Sequence, residues 1–282
     1  MIQKSFKFKM ILLLLISLFL NADENEDRFY KDKLHIPKGF GLHTDVGYSA
    51  YLIELHSSEV DSAIDYDVLE FTLGSSYVHG KWLWGVYGKF LIDELHSNMY
   101  VVTTQSPLND KANIDKDEFG IYVNYTLQQN ESDSWKLNAI YRYVSLDAND
   151  EYVSFHHYGS QFKYQTDGLA LSLVYARAFN EQHSCFAQVG AVYSKAKVKM
   201  SEYINHTPQD SFVDDRTTSL GTKMSVGYNY KINNNFFLNL RTDAWRHDFN
   251  KLTVSSRVGD TLPSATLKEH SFTTYGGLTW RF

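Results

Sequence analysis

A chain of 282 residues is long enough for one large domain, and 15% of it is aromatic, with 20 Tyr and 18 Phe. Its formal net charge of −6 argues against nucleic acid as a partner, because neutralising phosphates needs a basic surface. Cys185 is the only cysteine, so no internal disulfide and no cysteine metal cluster can form, and no other metal or cofactor motif is present.

The first 22 residues have the order of a secretory signal peptide. Lys4, Lys7 and Lys9 precede the apolar run from Met10 to Leu20, and Asn21-Ala22 leads into an abrupt acidic stretch at Asp23. That run is too short to span a bilayer as a helix, which takes roughly 20 apolar residues. No cysteine follows it to carry a lipid anchor. The expected division is 1–22 signal peptide, 23–38 periplasmic N-terminal segment and 39–282 membrane domain.

From Gly39 onward the hydrophobic pattern has a period of two, that of β-strands. Phe119, Ile121, Val123, Tyr125 and Leu127 share one face, while Glu118, Gly120, Tyr122, Asn124 and Thr126 share the other. Between Leu220 and Tyr230, Leu220, Thr222, Met224, Val226, Tyr228 and Tyr230 likewise face one way. Strands are expected at about 40–55, 64–78, 82–96, 116–128, 135–147, 161–179, 185–200, 216–231, 236–249 and 269–282. Short turns at His79-Gly80-Lys81, 130–134, 180–184 and Asn233-Asn234-Asn235 alternate with mostly longer polar connections at 97–115, 148–160, 201–215 and 250–268. Periplasmic turns and longer external loops alternate in this way in outer-membrane barrels. The fold class is therefore all-β, a closed antiparallel transmembrane β-barrel of about ten strands. A break at Thr166-Asp167-Gly168 would make twelve the alternative.

Aromatic residues gather at the short-turn ends: Tyr77, Trp82, Trp84, Tyr125, Trp135, Tyr175, Tyr228, Tyr230, Phe236, Trp280 and Phe282. Amphipathic rings prefer the membrane interface, so this clustering reads as a girdle. The chain closes on Tyr275, Gly277, Trp280 and Phe282. This pattern resembles the C-terminal signal of bacterial outer-membrane barrels, which implies the barrel-assembly machinery as a partner and the outer membrane as the location. Thr218 to Phe282 also resembles the closing strands of solitary autotransporter-type barrels. The ten-strand layout is similar to that of omptins, surface proteases that use an acidic pair and an Asp-x-His dyad. For those roles the chain offers Asp93 and Glu94, with Glu202 and His206 in the 201–215 loop, and no Asp-x-His.

Alternation assigns Asp45, Glu70, Lys89, Asp93, Arg142, Lys223, Arg241, Asp243 and His247 to the lumen. Such charges either pair into a plug or line a narrow polar pore. Lys195, Lys197 and Lys199 share the outward face near the external end of their strand, where they could hold lipopolysaccharide phosphates or simply be solvated. The adjacent His156-His157 would point to opposite faces of a strand and could not chelate one metal. The function expected is that of a small non-enzymatic barrel with a structural or adhesin-like surface role. An omptin-like endoprotease and a narrow solute channel are the alternatives.

Overall fold

In a computed structural model the chain is described over residues 38–57, 60–103, 106–110, 112–150, 158–204, 207–208, 213–253 and 264–282. The proposed signal peptide and all but the last residue of the 23–38 segment lie outside them. Ten long strands form the wall: β1 (Gly39–His56), β2 (Val60–His79), β3 (Trp82–Thr103), β5 (Ala112–Gln129), β6 (Asp133–Asp150), β7 (Tyr158–Ala178), β8 (His183–Ile204), β10 (Val213–Lys231), β11 (Phe236–Phe249) and β12 (Thr266–Arg281). Two short pieces, β4 (Ser106–Asp110) and β9 (Thr207–Pro208), pair back on β3 and β8. Every wall pairing is antiparallel, and the β1–β12 and β8–β10 ladders close the sheet on itself. Closure removes the unpaired edges that hydrocarbon would not tolerate.

The turns at the chain-terminal end follow from local chemistry. Gly80 adopts φ 57, where a side chain would be strained. The Asn180 side-chain carbonyl accepts the amides of Gln182 and His183 at 2.8 and 2.9 Å, and Asn233 accepts those of Asn235 and Phe236, both at 2.9 Å. These Asx turns reverse the chain within a few residues. The twelve-strand alternative fails at Gly168, which pairs with Arg142 and Ser194 inside one continuous β7. A Cβ there would lie 2.8 Å from the Tyr193 carbonyl, so glycine is present for close wall packing rather than for a turn.

Strands of 18 to 22 residues, such as β1, β3 and β8, exceed the 9–11 or so needed to cross a bilayer. The surplus changes character along the barrel axis. On β8 the outward residues Ala187, Val189, Ala191 and Tyr193 give way to Lys195, Lys197 and Lys199, while the inward series passes from Gln188 and Gly190 to Val192, Ala196, Val198 and Met200. On β7 outward Leu173, Leu171 and Leu169 are followed by Asp167, Gln165 and Lys163, and inward Ser172 is followed by Thr166, Tyr164 and Phe162. The half near the short turns is thus apolar outside and polar inside. The far half is a water-soluble barrel, polar outside with a dry core of Ile53, Leu55, Ile64, Leu146, Phe162, Val198, Met200, Leu267 and their neighbours.

This collar explains why strands run beyond their expected ends. Met99, Ile114, Val213, Leu252 and Ala265 fall within connections read from the sequence as loops, and all five are buried in the upper core. Burying Met99, Ile114 and Val213 carries β3, β5 and β10 beyond their expected ends, while Leu252 and Ala265 meet in an isolated bridge outside β11 and β12. An aspartate at Val198, which is 0% exposed, would be an unpaired charge in that core and should cost about 3–5 kcal/mol. Lys197→Asp, one residue away on the solvent face, should change stability by only about 0.5 kcal/mol. The temperature at which the folded barrel loses its compact gel mobility separates the two.

Candidate functional site

At mid-height, between the polar lower lumen and the dry upper core, inward residues of five strands meet. Glu70 on β2, Lys89 on β3, Lys116 and Glu118 on β5, Arg142 on β6 and Glu269 on β12 are all buried. Three cations face three carboxylates, so the cluster is neutral. Glu118 Oε2 lies 3.0 Å from Arg142 Nη2, 3.3 Å from Lys89 Nζ and 3.9 Å from Lys116 Nζ. Lys116 Nζ is 2.5 Å from Glu70 Oε1, and Arg142 Nη1 reaches Glu269 Oε1 at 4.0 Å.

Hydroxyls satisfy the remaining lone pairs. Tyr87 donates to Glu118 at 3.0 Å, Tyr164 donates to Glu269 at 2.5 Å, and the Ser49 hydroxyl lies against Glu70. Lys89 donates to the Tyr275 hydroxyl at 2.6 Å. Aromatic faces cover the cations: Lys116 sits 3.8 Å from the centroid of Tyr51, and Arg142 sits 4.8 Å from that of Trp245. Beside Arg142 a cavity of about 10 Å³, lined by Thr166, Ser194, Trp245 and His247, has room for a single water.

Of the lumen residues expected from sequence, Glu70, Lys89 and Arg142 lie in this cluster. Arg241 and Asp243 form a neighbouring pair at 3.2 Å, and Lys223 lies over Trp245 at 5.0 Å. Asp45 and His247 are buried in the lumen nearby. Asp93 is a correction. It is exposed, because the β2–β3 register slips between Leu69 and Glu70 and again between Asp67 and Val68, which turns Asp93 out of the lumen. Lys116, Glu118 and Glu269 were not among the expected residues. The signal for Glu118 was nonetheless visible, since alternation already put it on the face opposite Phe119.

The elements offered for omptin-type chemistry do not converge among the described residues. Asp93 faces solvent. Glu94 is half-buried and engaged, its carboxylate accepting the Ile114 amide at 2.9 Å and the Ser97 hydroxyl. His206, and with it the Glu202 side chain and His156-His157, lies outside the described residues. No group of three or more potential metal ligands occurs among the residues described.

Lys195 and Lys197 are exposed and Lys199 half-buried, on the outer wall just above Tyr193. Cross-strand neighbours add Lys163 and Arg216 to this basic patch, with Asp167 and Asp214 at its flanks. In the C-terminal strand Tyr275 and Gly277 face inward. Gly277 is packed too closely for a side chain there, since a Cβ would lie 2.4 Å from the Thr44 carbonyl oxygen. Trp280 and Phe282 face out, and Trp280 stacks on Phe236 at 5.9 Å.

No protein-family model matches the sequence, and no curated protein matches it. Among solved structures, the outer membrane protease OmpT from Escherichia coli superposes with a TM-score of 0.69 at 10% identity, covering 89% of this chain and 100% of that one. The translocator domain of autotransporter NalP from Neisseria meningitidis gives 0.43 at 9% identity, covering 99% and 96%. The outer membrane protein OprG from Pseudomonas aeruginosa gives 0.43 at 11%, covering 89% and 99%. The chain therefore has the fold of a bacterial outer-membrane β-barrel, and its apolar outer band places it in that membrane.

Removing the charge of Glu118 leaves three cations around one vacant partner. Glu118→Gln should cost about 3–5 kcal/mol, and combining it with Arg142→Met should recover part of that loss. The urea midpoint of the barrel in detergent reads both.

Proposed function

We propose that this protein is a non-enzymatic, non-conducting pedestal that carries interaction loops above the outer membrane. The observation that supports this reading is the closure of the lumen at two levels. The neutral cluster around Glu118 fills the middle, and the dry core from Ile53 to Leu267 fills the collar above it. A solute path past Arg142 would have to break its pairing with Glu118 and then cross apolar side chains. Packed collars are rigid, and loops on a rigid scaffold are where binding residues concentrate. The connections 151–157, 209–212 and 254–263 are the loops this scaffold would present. Among the described residues Asp93 and Glu94 do not make a free acidic pair for an endoprotease, because Glu94 braces β5 through Ile114.

Lipopolysaccharide fits as the lateral partner. Lys195, Lys197, Lys199, Lys163 and Arg216 stand where outer-leaflet phosphates would lie, directly over the apolar band. Reversing Lys195, Lys197 and Lys199 to Glu should lower co-purified lipopolysaccharide about tenfold while leaving the fold intact.

The principal test combines planar-bilayer recording with display on cells. The refolded protein should give no stepwise conductance and leave a mixed peptide library uncut, and cells displaying it should bind a surface that they lose when 254–263 is shortened. Stepwise current altered by Arg142→Met would make it a channel. Peptide cleavage abolished by Asp93→Ala and His206→Ala would make it a protease.

A further inference from the structure

The outer surface of the collar is divided by charge. On the side formed by β1, β2 and β3, the outward side chains above the apolar band include Glu54, Asp61, Asp65, Asp67 and Asp93. Among the described residues these three strands carry no outward lysine or arginine. Lys89 is buried in the lumen, and His56, beside Asp61, and His96 are the outward bases. On the side formed by β7, β8 and β10 stand Lys163, Lys195, Lys197, Lys199 and Arg216, with Asp167 and Asp214 at the flanks. β2, at the centre of the acidic wall, and β8, at the centre of the basic one, lie five strand steps apart in either direction around the barrel. The two faces are therefore diametrically opposed.

Little within the chain offsets these charges. Lys199 lies directly across from Lys163, and Lys197 directly across from Arg216, so like charges are held side by side on the wall. Lys163 pairs with Asp147 at 3.6 Å. Among the described residues no ion pair engages Lys195, Lys197, Lys199 or Arg216, and no lysine or arginine pairs with Asp65, Asp67 or Asp93.

The faces match in height as well as in sign. The outward series of β2 passes from Phe71 and Leu69 to Asp67 and Asp65, and that of β8 from Ala191 and Tyr193 to Lys195 and Lys197. A bilayer holds every copy at one depth, so the edge of the apolar band is a shared reference. Asp67 of one molecule then stands level with Lys195 of the next, and Asp65 with Lys197.

We propose that the acidic wall of β1, β2 and β3 docks on the basic wall of β7, β8 and β10 of a second copy of this chain, side by side in the membrane. The contact is heterologous, and because its two faces are opposed it propagates as a row rather than closing a ring. A single exposed ion pair contributes little, so the association depends on several aligned charges and is screened by salt. This goes beyond the pedestal reading. Lipopolysaccharide phosphate is the competing counter-charge for the same lysines, so the test is made without it.

The test is a cross-link between two populations of the full mature barrel, both carrying Cys185→Ser and refolded together in phosphatidylcholine vesicles. One carries Ala63→Cys, an uncharged outward position among the aspartates of β2, and the other Gln165→Cys, outward on β7 across from Lys197. A short bismaleimide should join 63 to 165 about tenfold more often than 63 to 63 or 165 to 165, and the excess should vanish in about 1 M salt. Changing Asp61, Asp65 and Asp67 to Lys in the first population should abolish the mixed product. Changing Lys195, Lys197 and Lys199 to Glu in the second should then restore it. Same-face products in equal yield, or a mixed product indifferent to salt and to charge reversal, would overturn the proposal. The salt series decides the matter even where a reversed variant lacks the heat-shifted gel mobility of a folded barrel. The aspartate changes leave the lysines intact, so lipopolysaccharide co-purified with that variant reports on the lipid reading alone.

Discussion

Three cations converge on the carboxylate of Glu118: Arg142 at 3.0 Å, Lys89 at 3.3 Å and Lys116 at 3.9 Å. It is the nearest carboxylate to Arg142 and Lys89, while Lys116 lies closer to Glu70, and an unpaired buried charge would cost several kcal/mol. Glu70 and Glu269 complete the neutrality, and Tyr87, Tyr164 and Ser49 supply hydrogen bonds to the carboxylates. The cluster draws on the neighbouring strands β2, β3, β5 and β6 and on β12, which pairs with none of them along the wall. Arg142 and Glu269 meet across the lumen rather than along a ladder. Barrel closure and lumen closure are consequently one event: the cluster exists only when the sheet has closed, and it braces the closed sheet from within.

That cluster also marks the height at which the barrel changes solvent. Each strand has two faces, and what each face meets is reversed across this level. Below it, lipid outside demands Leu, Val and aromatics, while the polar lumen takes Asn, Gln, Ser and Lys. Above it, water outside takes Lys, Asp and Gln, and the interior packs Ile, Val, Met and Phe. A barrel that merely spanned the membrane would need strands about half as long. The surplus forms the collar, which carries the wall beyond the lipid-facing band. The basic patch at Lys195–Lys199 lies directly beyond the outward-facing Tyr193.

Much of this was legible in the sequence, because a period of two is an unambiguous signal where one face meets lipid. All ten long strands and the four short turns follow from alternation and from Asn and Gly at the turns. The collar was harder to read. Its outward Asp, Gln and Lys resemble loop composition, and only the inward Met99, Ile114 and Val213 mark it as strand. Asp93 was misplaced because a β-bulge shifts parity by one residue and leaves no compositional trace at Leu91–Glu94. Glu269 could not be matched to Arg142 beforehand, since the stagger of a closed barrel, not the order of residues in either strand, decides which side chains share a level. Functional roles were still less legible. Candidate residues such as Glu94 and Lys199 have the right chemistry for several tasks, and only their surroundings distinguish a brace from a catalyst.

The most direct measurement is the exposure of single cysteines stepped along β8 in lipid vesicles, in a Cys185→Ser background, to a membrane-impermeant maleimide. The account predicts no labelling at the lipid-facing positions Val189, Ala191 and Tyr193, rapid labelling at Lys195, Lys197 and Lys199, and protection at the intervening core positions Ala196 and Val198. Labelling of Ala196 and Val198 at the rate of their outward neighbours would mean an open, wet lumen. Protection of Lys197 and Lys199 would sink the collar into the bilayer. Either result would contradict the reversal on which the pedestal rests.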